Sequence, residues 1–476
     1  MELGCPNIAR QLRALTWRGG LNSSSGGADA WNVNAMARRC AAWLLIGAGG
    51  VWVAWLGGRV QTMGDYPHEF APAMNALLAG HLDAFRHLLP EDGAGGSVLL
   101  RAPAALMGSL LVGGQQAIFR FGTLGCELAA GGLGLALASD MRRRGLPLLP
   151  RAVTVGLCVL VAAILDAVFF GHPEETLGAS LCIGAVLLSG ANRPALAGVM
   201  LGFAIIDKPW GVLAIAPVVL ACPAGVLSYP LRLSRLGLGA GAVLVAWLAL
   251  AFALDPVRLL HAMSTASGLV IEAHPVDVWW PLAHAVHKLG VTPYYAPPRF
   301  LSQHAREIAV LLAIPLSLPL AFRRLPALLP GIAAGRRAAG IALQPVMSDR
   351  AATDAALALL ALLLLLRCML DPSDHVYYHV PFVLALLAWE SRVSRLPVRA
   401  LLATGLLWLI FHTLSGIADL SVQYAAYLLV TVPLAILLFG AALGRGLRSP
   451  LAGPRSARRQ LRTVGGVVDF GVPRSS

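Results

Sequence analysis

The stretch "AATDAALALLALLLLLRCMLDPSDHVYYHVPFVLALLAWE" (residues 351–390) sets two apolar runs on either side of a short turn rich in acids, histidines and tyrosines. Neither run alternates apolar and polar residues, so neither reads as a strand of a membrane barrel. A helix of about 20 such residues crosses a hydrocarbon core of about 30 Å. Similar runs recur along the whole chain. With 57% hydrophobic residues, 13% charged residues and a mean hydropathy of +0.71, the composition excludes an ordinary soluble domain. Backbone polar groups in lipid must be satisfied within the segment that crosses it, which selects helices. The sequence therefore predicts an all-α polytopic membrane protein.

Spans are expected near 41–58, 118–139, 150–169, 176–191, 194–206, 210–227, 236–254, 306–322, 353–370, 380–391, 398–416 and 424–443, about 12 in all with 10–13 compatible. Residues 1–40 form a polar arm in which "LNSSSGGADAWN" (21–32) has the composition of a disordered segment, 41–445 the membrane domain, and 446–476 a basic tail. No cleavage pattern follows the first apolar run, and Met36 competes with Met1 as the start. The seven cysteines include no CxxC pair, so no zinc site or disulfide framework is indicated.

The formal charge of +13 does not point to nucleic acid, because the basic residues are scattered between apolar runs. They obey the positive-inside rule instead. Arg38 and Arg39, "RRRG" (142–145), Arg193, Arg232, Arg235, "FRRL" (322–325), "GRR" (335–337), "SRVSR" (391–395) and the basic tail all fall on one face when twelve crossings are counted, and that face is expected to be cytoplasmic. The opposite, extracytoplasmic face of this plasma-membrane protein then receives all twelve histidines and most acids. Two of its segments, 59–117 and 255–305, are too long for simple connectors. The first includes "FAPAMNALLAGHLDAFRHLL" (70–89), whose helical spacing of apolar residues suits a surface helix.

Four motifs on that face, "GDYPHEF" (64–70), "FGHPEET" (170–176), "NRPALAGVMLGFAIIDKPWGVLAIAPVVL" (192–220) and "DPSDHVYYHVPFVLALLAWE" (371–390), together resemble the GT-C superfamily of polyprenyl-phosphate-sugar-dependent glycosyltransferases, most closely the actinobacterial mannosyltransferases of glycosyltransferase family 87. The resemblance covers roughly residues 40–445 and implies a GT-C-like bundle and a polyprenyl-phosphate donor, with mannose the expected sugar. It also implies that the acid of the first outer loop, Asp65, is the catalytic base.

Sugar transfer from a lipid phosphate to a hydroxyl needs a base for the acceptor proton and positive charge for the departing phosphate. Asp65 is the expected base, with Glu69, His375 and His379 as support; His68 is expected to line the loop. His375 and His379, four apart, would share one helical face. Lys208, one of only two lysines, is the leading donor-phosphate ligand, and an ion pair with Asp207 is its bland alternative. Arg101, Arg120 and Arg367 are further phosphate candidates. His172, Glu174 and Glu175 are candidates for binding the acceptor or an ion, although acids in the first turn also suit an ordinary helix start. Trp279 and Trp280 could stack on a sugar or anchor at the interface. No cofactor is required and no metal ligands are assigned; a divalent cation stays open. Glu127, deep in the second span, is expected to pair with another helix. The partners expected are the sugar donor, a lipid or glycan acceptor and membrane lipids, not nucleic acid. The competing readings are a secondary transporter, whose ionisable residues would lie near mid-bilayer, and a non-catalytic envelope assembly subunit.

Overall fold

A computed structural model describes residues 28–57, 66–89, 95–227, 230–265, 272–287, 294–328, 347–417 and 419–444. Asp65, most of the N-terminal arm and the basic tail lie outside these residues. The chain divides into two compact units, Met1–Ala48 and Gly49–Ser476. Among the described residues the first holds only the leading part of helix α1 (Ala28–Gly57).

The second unit is helical. Three short helices, α2 (Tyr66–Glu69), α3 (Ala71–Leu78) and α4 (Leu82–Leu88), replace the single surface helix expected there. Gly80, at a φ of 72°, makes the break between α3 and α4, a left-handed position that favours glycine. α5 (Gly95–Leu111) was not expected, since Arg101 and Pro103 interrupt its apolar pattern. It folds back on α6 (Gln115–Arg143) as a helical hairpin. There follow α7 (Leu148–Ile164), α8 (Glu174–Gly190) and α9 (Pro194–Asp207). A 3₁₀ turn (Pro209–Ala214) leads into α10 (Ile215–Ala221), then α11 (Ala224–Leu227), α12 (Pro230–Leu254) and α13 (Pro256–Thr265). A small antiparallel ribbon, β1 (His284–Val286) with β2 (Tyr294–Ala296), is the only sheet among the described residues. The chain ends with α14 (Arg299–Leu328), α15 (Asp349–Leu370), α16 (Val380–Val393), α17 (Val398–Trp408), a π-helical turn (Leu409–Leu414), α18 (Ser415–Ile417) and α19 (Leu420–Ala442).

Five helices are long and apolar enough to cross a membrane, Gln115–Arg143, Leu233–Leu254, Arg299–Arg324, Asp349–Leu370 and Leu420–Ala442, and shorter apolar helices accompany them. The protein is a multi-span helical membrane protein. Its outer surface agrees: Leu110, Leu148, Leu238, Leu429 and Ile436 are exposed, Leu429 by 77%. Such rows of bare leucine are a liability in water and ordinary against lipid.

The core is α15. Its apolar window is 83% buried, against 17% for Leu233–Leu254, and it packs on α8, α10, α14, α16 and α19. Small residues allow the closest approaches elsewhere. Gly198 and Gly202, one helical turn apart on α9, face α12; a methyl added at Gly202 would come within 2.7 Å of Val243 Cβ, and one at Gly198 would strike the Leu236 carbonyl. Gly239 on α12 faces the Ala195 carbonyl in the same way. Gly198→Leu should therefore abolish a monodisperse peak in detergent size-exclusion chromatography, whereas Gly237→Ala, which meets nothing within 4 Å, should leave the peak unchanged.

Candidate functional site

The short helices set the place of the site. At 1.5 Å per residue, the 17 residues of α8 and 14 of α9 span about 26 and 21 Å, less than the ~30 Å core, while the 29 of α6 span about 44 Å. The charged residues at one end of α8 and α9 are buried, Glu174, Glu175 and Asp207 at 2% exposure or less.

Glu174 opens α8 behind the N-cap Pro173, after a tight turn in which Gly171 has a φ of 87°. The positive end of the helix dipole favours an acid there, and three side chains converge on it. Arg101 Nη1 donates to Oε2 at 2.6 Å, while Lys208 Nζ lies 3.1 Å and His172 Nδ1 2.9 Å from Oε1. Glu69, at the end of α2, reaches His172 at 3.8 Å. The next residue, Glu175, takes a two-pronged grip from Arg367, whose Nη1 and Nη2 lie 3.2 and 3.4 Å from its two oxygens, and it also accepts from the Trp210 indole at 3.3 Å. The Arg367 guanidinium lies 5.1 Å from the Trp210 ring and 4.7 Å from that of Tyr378.

Burial alone would lower the Lys208 pKa, but Glu174, Glu69 and Glu175 outweigh it and hold the ammonium above its ordinary value. Lys208 pairs with Glu174, and not with Asp207 as the adjacent numbers suggest. Asp207 is fully buried, and neither of its oxygens has a hydrogen-bond partner among the described residues. Arg101 is buried against the Phe70 ring, 4.2 Å away, and its Nε and Nη2 also lack partners there. It borders an apolar cavity of about 200 Å³ with Gly122, Cys126, Leu177 and Phe203. Arg120, on α6, has a buried Nε with no hydrogen-bond partner among the described residues.

The fourth motif closes over this cluster. Tyr377 stacks on His172 at 4.3 Å, and His375 stacks on Tyr377 and meets His274 at 4.9 Å. The loop carrying His274 is pinned to the end of α15 by backbone bonds from His274 to Pro372 and from Val278 to Met369. Here the structure corrects one expectation. Residues 376–379 form a 3₁₀ turn, in which i and i+3 eclipse and i+4 does not, so His375 and His379 do not share a face. His379 is wholly buried, 3.1 Å from the Tyr427 hydroxyl, which also donates to Asp374. Trp279 and Trp280 likewise stand apart from the Glu174 cluster: Trp279 donates to the Leu370 carbonyl and Trp280 packs on Tyr295. Glu127 is fully buried, and neither carboxylate oxygen has a hydrogen-bond partner among the described residues.

Two groups have metal-ligating atoms within 4.8 Å of one another, Glu69–His172–Glu174 and Cys368–Asp374–His379. In the first, Arg101 and Lys208 already supply the positive charge an ion would bring. In the second, Cys368 Sγ donates to the Tyr378 and Leu364 carbonyls, and His379 and Asp374 share the Tyr427 hydroxyl. Sequence reasoning missed Trp210, Tyr377 and His274 as members of the site. Trp210 and Tyr377 lay in quoted motifs and His274 in the outer segment 255–305, but aromatic residues at a membrane edge carry no signal that separates an anchor from a wall.

Comparison of the chain with known protein families, with characterised proteins and with solved structures finds no match.

Two outcomes follow from this geometry. Glu174→Leu leaves Arg101 and Lys208 uncompensated in a buried place and should cost about 3–5 kcal/mol, read as a fall in melting temperature. Burial also pushes the Asp277 carboxyl up to about 8, against hydrogen bonds from the backbone N–H groups of Trp279 and Trp280. Unfolded, the group titrates near 3.9. The folded chain thus holds this proton more tightly, and stability should fall as pH rises through that window, the loss being complete above about 8. Asp277→Asn should flatten the fall in melting temperature between about pH 4 and 8; parallel curves for the two proteins would disprove the assignment.

Proposed function

We propose that the protein is a GT-C-type membrane glycosyltransferase that moves a sugar, mannose by family resemblance, from a polyprenyl-phosphate donor to a lipid- or glycan-linked hydroxyl on the extracytoplasmic face. The observation that carries this reading is Arg101: a buried guanidinium with two nitrogens that have no hydrogen-bond partner among the described residues, beside a cavity walled by apolar helix faces. That pairing suits a molecule with a phosphate at one end and a hydrocarbon chain at the other. The position of the charges also favours transfer over transport. Glu174, Lys208 and Arg367 lie at helix ends on one side of the bundle, not at its middle.

In this reading Asp65, directly before α2, takes the proton of the acceptor hydroxyl as that oxygen attacks the anomeric carbon. The bond from that carbon to the phosphate oxygen breaks, and polyprenyl phosphate leaves with the electron pair. A single in-line displacement inverts the anomeric centre. Arg101, with Arg120 beyond it, receives the growing phosphate charge, and Lys208 and Arg367 hold the Glu174 and Glu175 carboxylates that shape the floor. His172, Glu174 and Glu175 face the acceptor side, while Trp279 and Trp280 serve the packing of the outer loop. The protein's own cations supply the positive charge, so no metal is required.

The test is transfer from radiolabelled polyprenyl-phosphate mannose in membranes. Asp65→Asn should lower the rate about 10²–10⁴-fold, the range of a lost general base. Arg101→Gln should raise the donor KM, and chelation with EDTA should leave the wild-type rate unchanged. Equal transfer by wild type and Asp65→Asn would remove Asp65 from its role, and no transfer by the wild type would overturn the donor assignment.

A further inference from the structure

A second cavity, larger than the one beside Arg101, opens toward the opposite, arginine-rich end of the bundle. It holds about 720 Å³ between α6 and α8, within the roughly 300–1,000 Å³ of small-molecule sites. Its walls are apolar and small, with Gly132, Ala136, Leu181, Gly184 and Leu188 among them. Ala136 is exposed on its helix face and the other four are only partly covered, so the groove opens sideways where lipid would be.

Its mouth is charged, and unevenly so. Arg143, Arg350 and Arg392 border it with a single acid, Asp140. Arg392 is held by Asp354 at 2.5 Å and lies 3.8 Å from Asp140. Arg144, just outside, is spent on Asp140 and on the carbonyls of Ser391 and Arg392. Four arginines therefore share two aspartates. Arg350 is exposed and has no hydrogen bond or ion pair among the described residues, and Arg143 is 68% exposed with one bond to Asp140. An apolar groove that opens to lipid and ends in surplus guanidinium matches one kind of occupant: an amphipathic anion with a hydrocarbon chain. Basic pockets between helices at the cytoplasmic leaflet hold acidic headgroups in this way.

We infer that the groove between α6 and α8 binds an anionic glycerophospholipid, one acyl chain lying along Gly132, Ala136 and Gly184 and the phosphate resting between Arg143 and Arg350. The site is separate from the Glu174 cluster and is independent of the glycosyltransferase reading. Guanidinium and phosphate form charge-assisted, often two-pronged bonds, which a zwitterionic headgroup satisfies less well because it brings its own cation.

The experiment is thermal melting of the detergent-purified full chain, with phosphatidylglycerol, phosphatidylcholine or inorganic phosphate added. Phosphatidylglycerol should raise the melting temperature by several degrees, with phosphatidylcholine and free phosphate giving little or no shift. Arg143→Gln/Arg350→Gln should lose the shift while melting like the wild type without lipid, since neither side chain supports the fold. Ala136→Trp, which fills the groove from an exposed position, should lose it too while both arginines remain. Equal shifts with the two lipids, a shift reproduced by inorganic phosphate, or a shift that survives either variant would overturn the inference.

Discussion

The site depends on the carboxylate of Glu174. It stands at the first turn of a short helix, 2% exposed, with a guanidinium on one oxygen and an ammonium and an imidazole on the other. Each of these groups would be costly alone in such a place; together they neutralise one another. The pairing fixes geometry as well as charge. Arg101 comes from α5, Lys208 from the end of α9 and His172 from the turn before α8. One carboxylate thus ties together three chain segments that are far apart in sequence. Glu175, beside it, ties in α15 through Arg367 and the turn after α9 through Trp210.

This arrangement explains why the two lengths of helix matter. Three of the long helices, α12, α14 and α19, are mostly exposed and form lipid-facing wall, while the polar side chains meet where the short α8 and α9 end. A polar floor at that depth must be saturated with internal bonds, because water competes less there and an unpaired group is expensive. The exceptions are therefore informative. Among the described residues, two nitrogens of Arg101 and both carboxylate oxygens of Asp207 have no hydrogen-bond partner, in a cluster otherwise well bonded. Glu127 is a third such group, deeper in α6, and the structure offers no partner for it among the described residues.

Much of the fold was legible because lipid simplifies the code. Apolar runs marked the helices, and most expected spans fall on one; 210–227 instead breaks into a 3₁₀ turn and two short helices, and five helices, not twelve, are long and apolar enough to cross a membrane. The site was legible in part. Glu174, Glu175 and Lys208 stood out as acids and a rare lysine beside turns, and they do meet. Their pairing was not legible, since Lys208 chooses Glu174 over the adjacent Asp207 for reasons of direction that spacing does not show. The His375 and His379 pair failed for a definable reason: the periodicity argument assumed an α-helix where the chain makes a 3₁₀ turn. α5 escaped because Arg101, the residue that ties it to the site, also interrupts its apolar pattern. The charges that make the site are thus the same charges that obscure the helix carrying one of them.

The burial of α15 carries a consequence for how the protein is made. Its neighbours α8, α10 and α14 are synthesised before it, and α16 and α19 after it. A central helix with two of its five partners missing would be an aggregation hazard in water. In a bilayer, lipid tails stand in for the missing neighbours at little cost, because they are as apolar as the leucines they cover. The centre of this bundle can therefore be laid down before it is enclosed. The later helices have to displace lipid rather than water, and shape complementarity, more than hydrophobicity, decides whether the last of them closes the bundle.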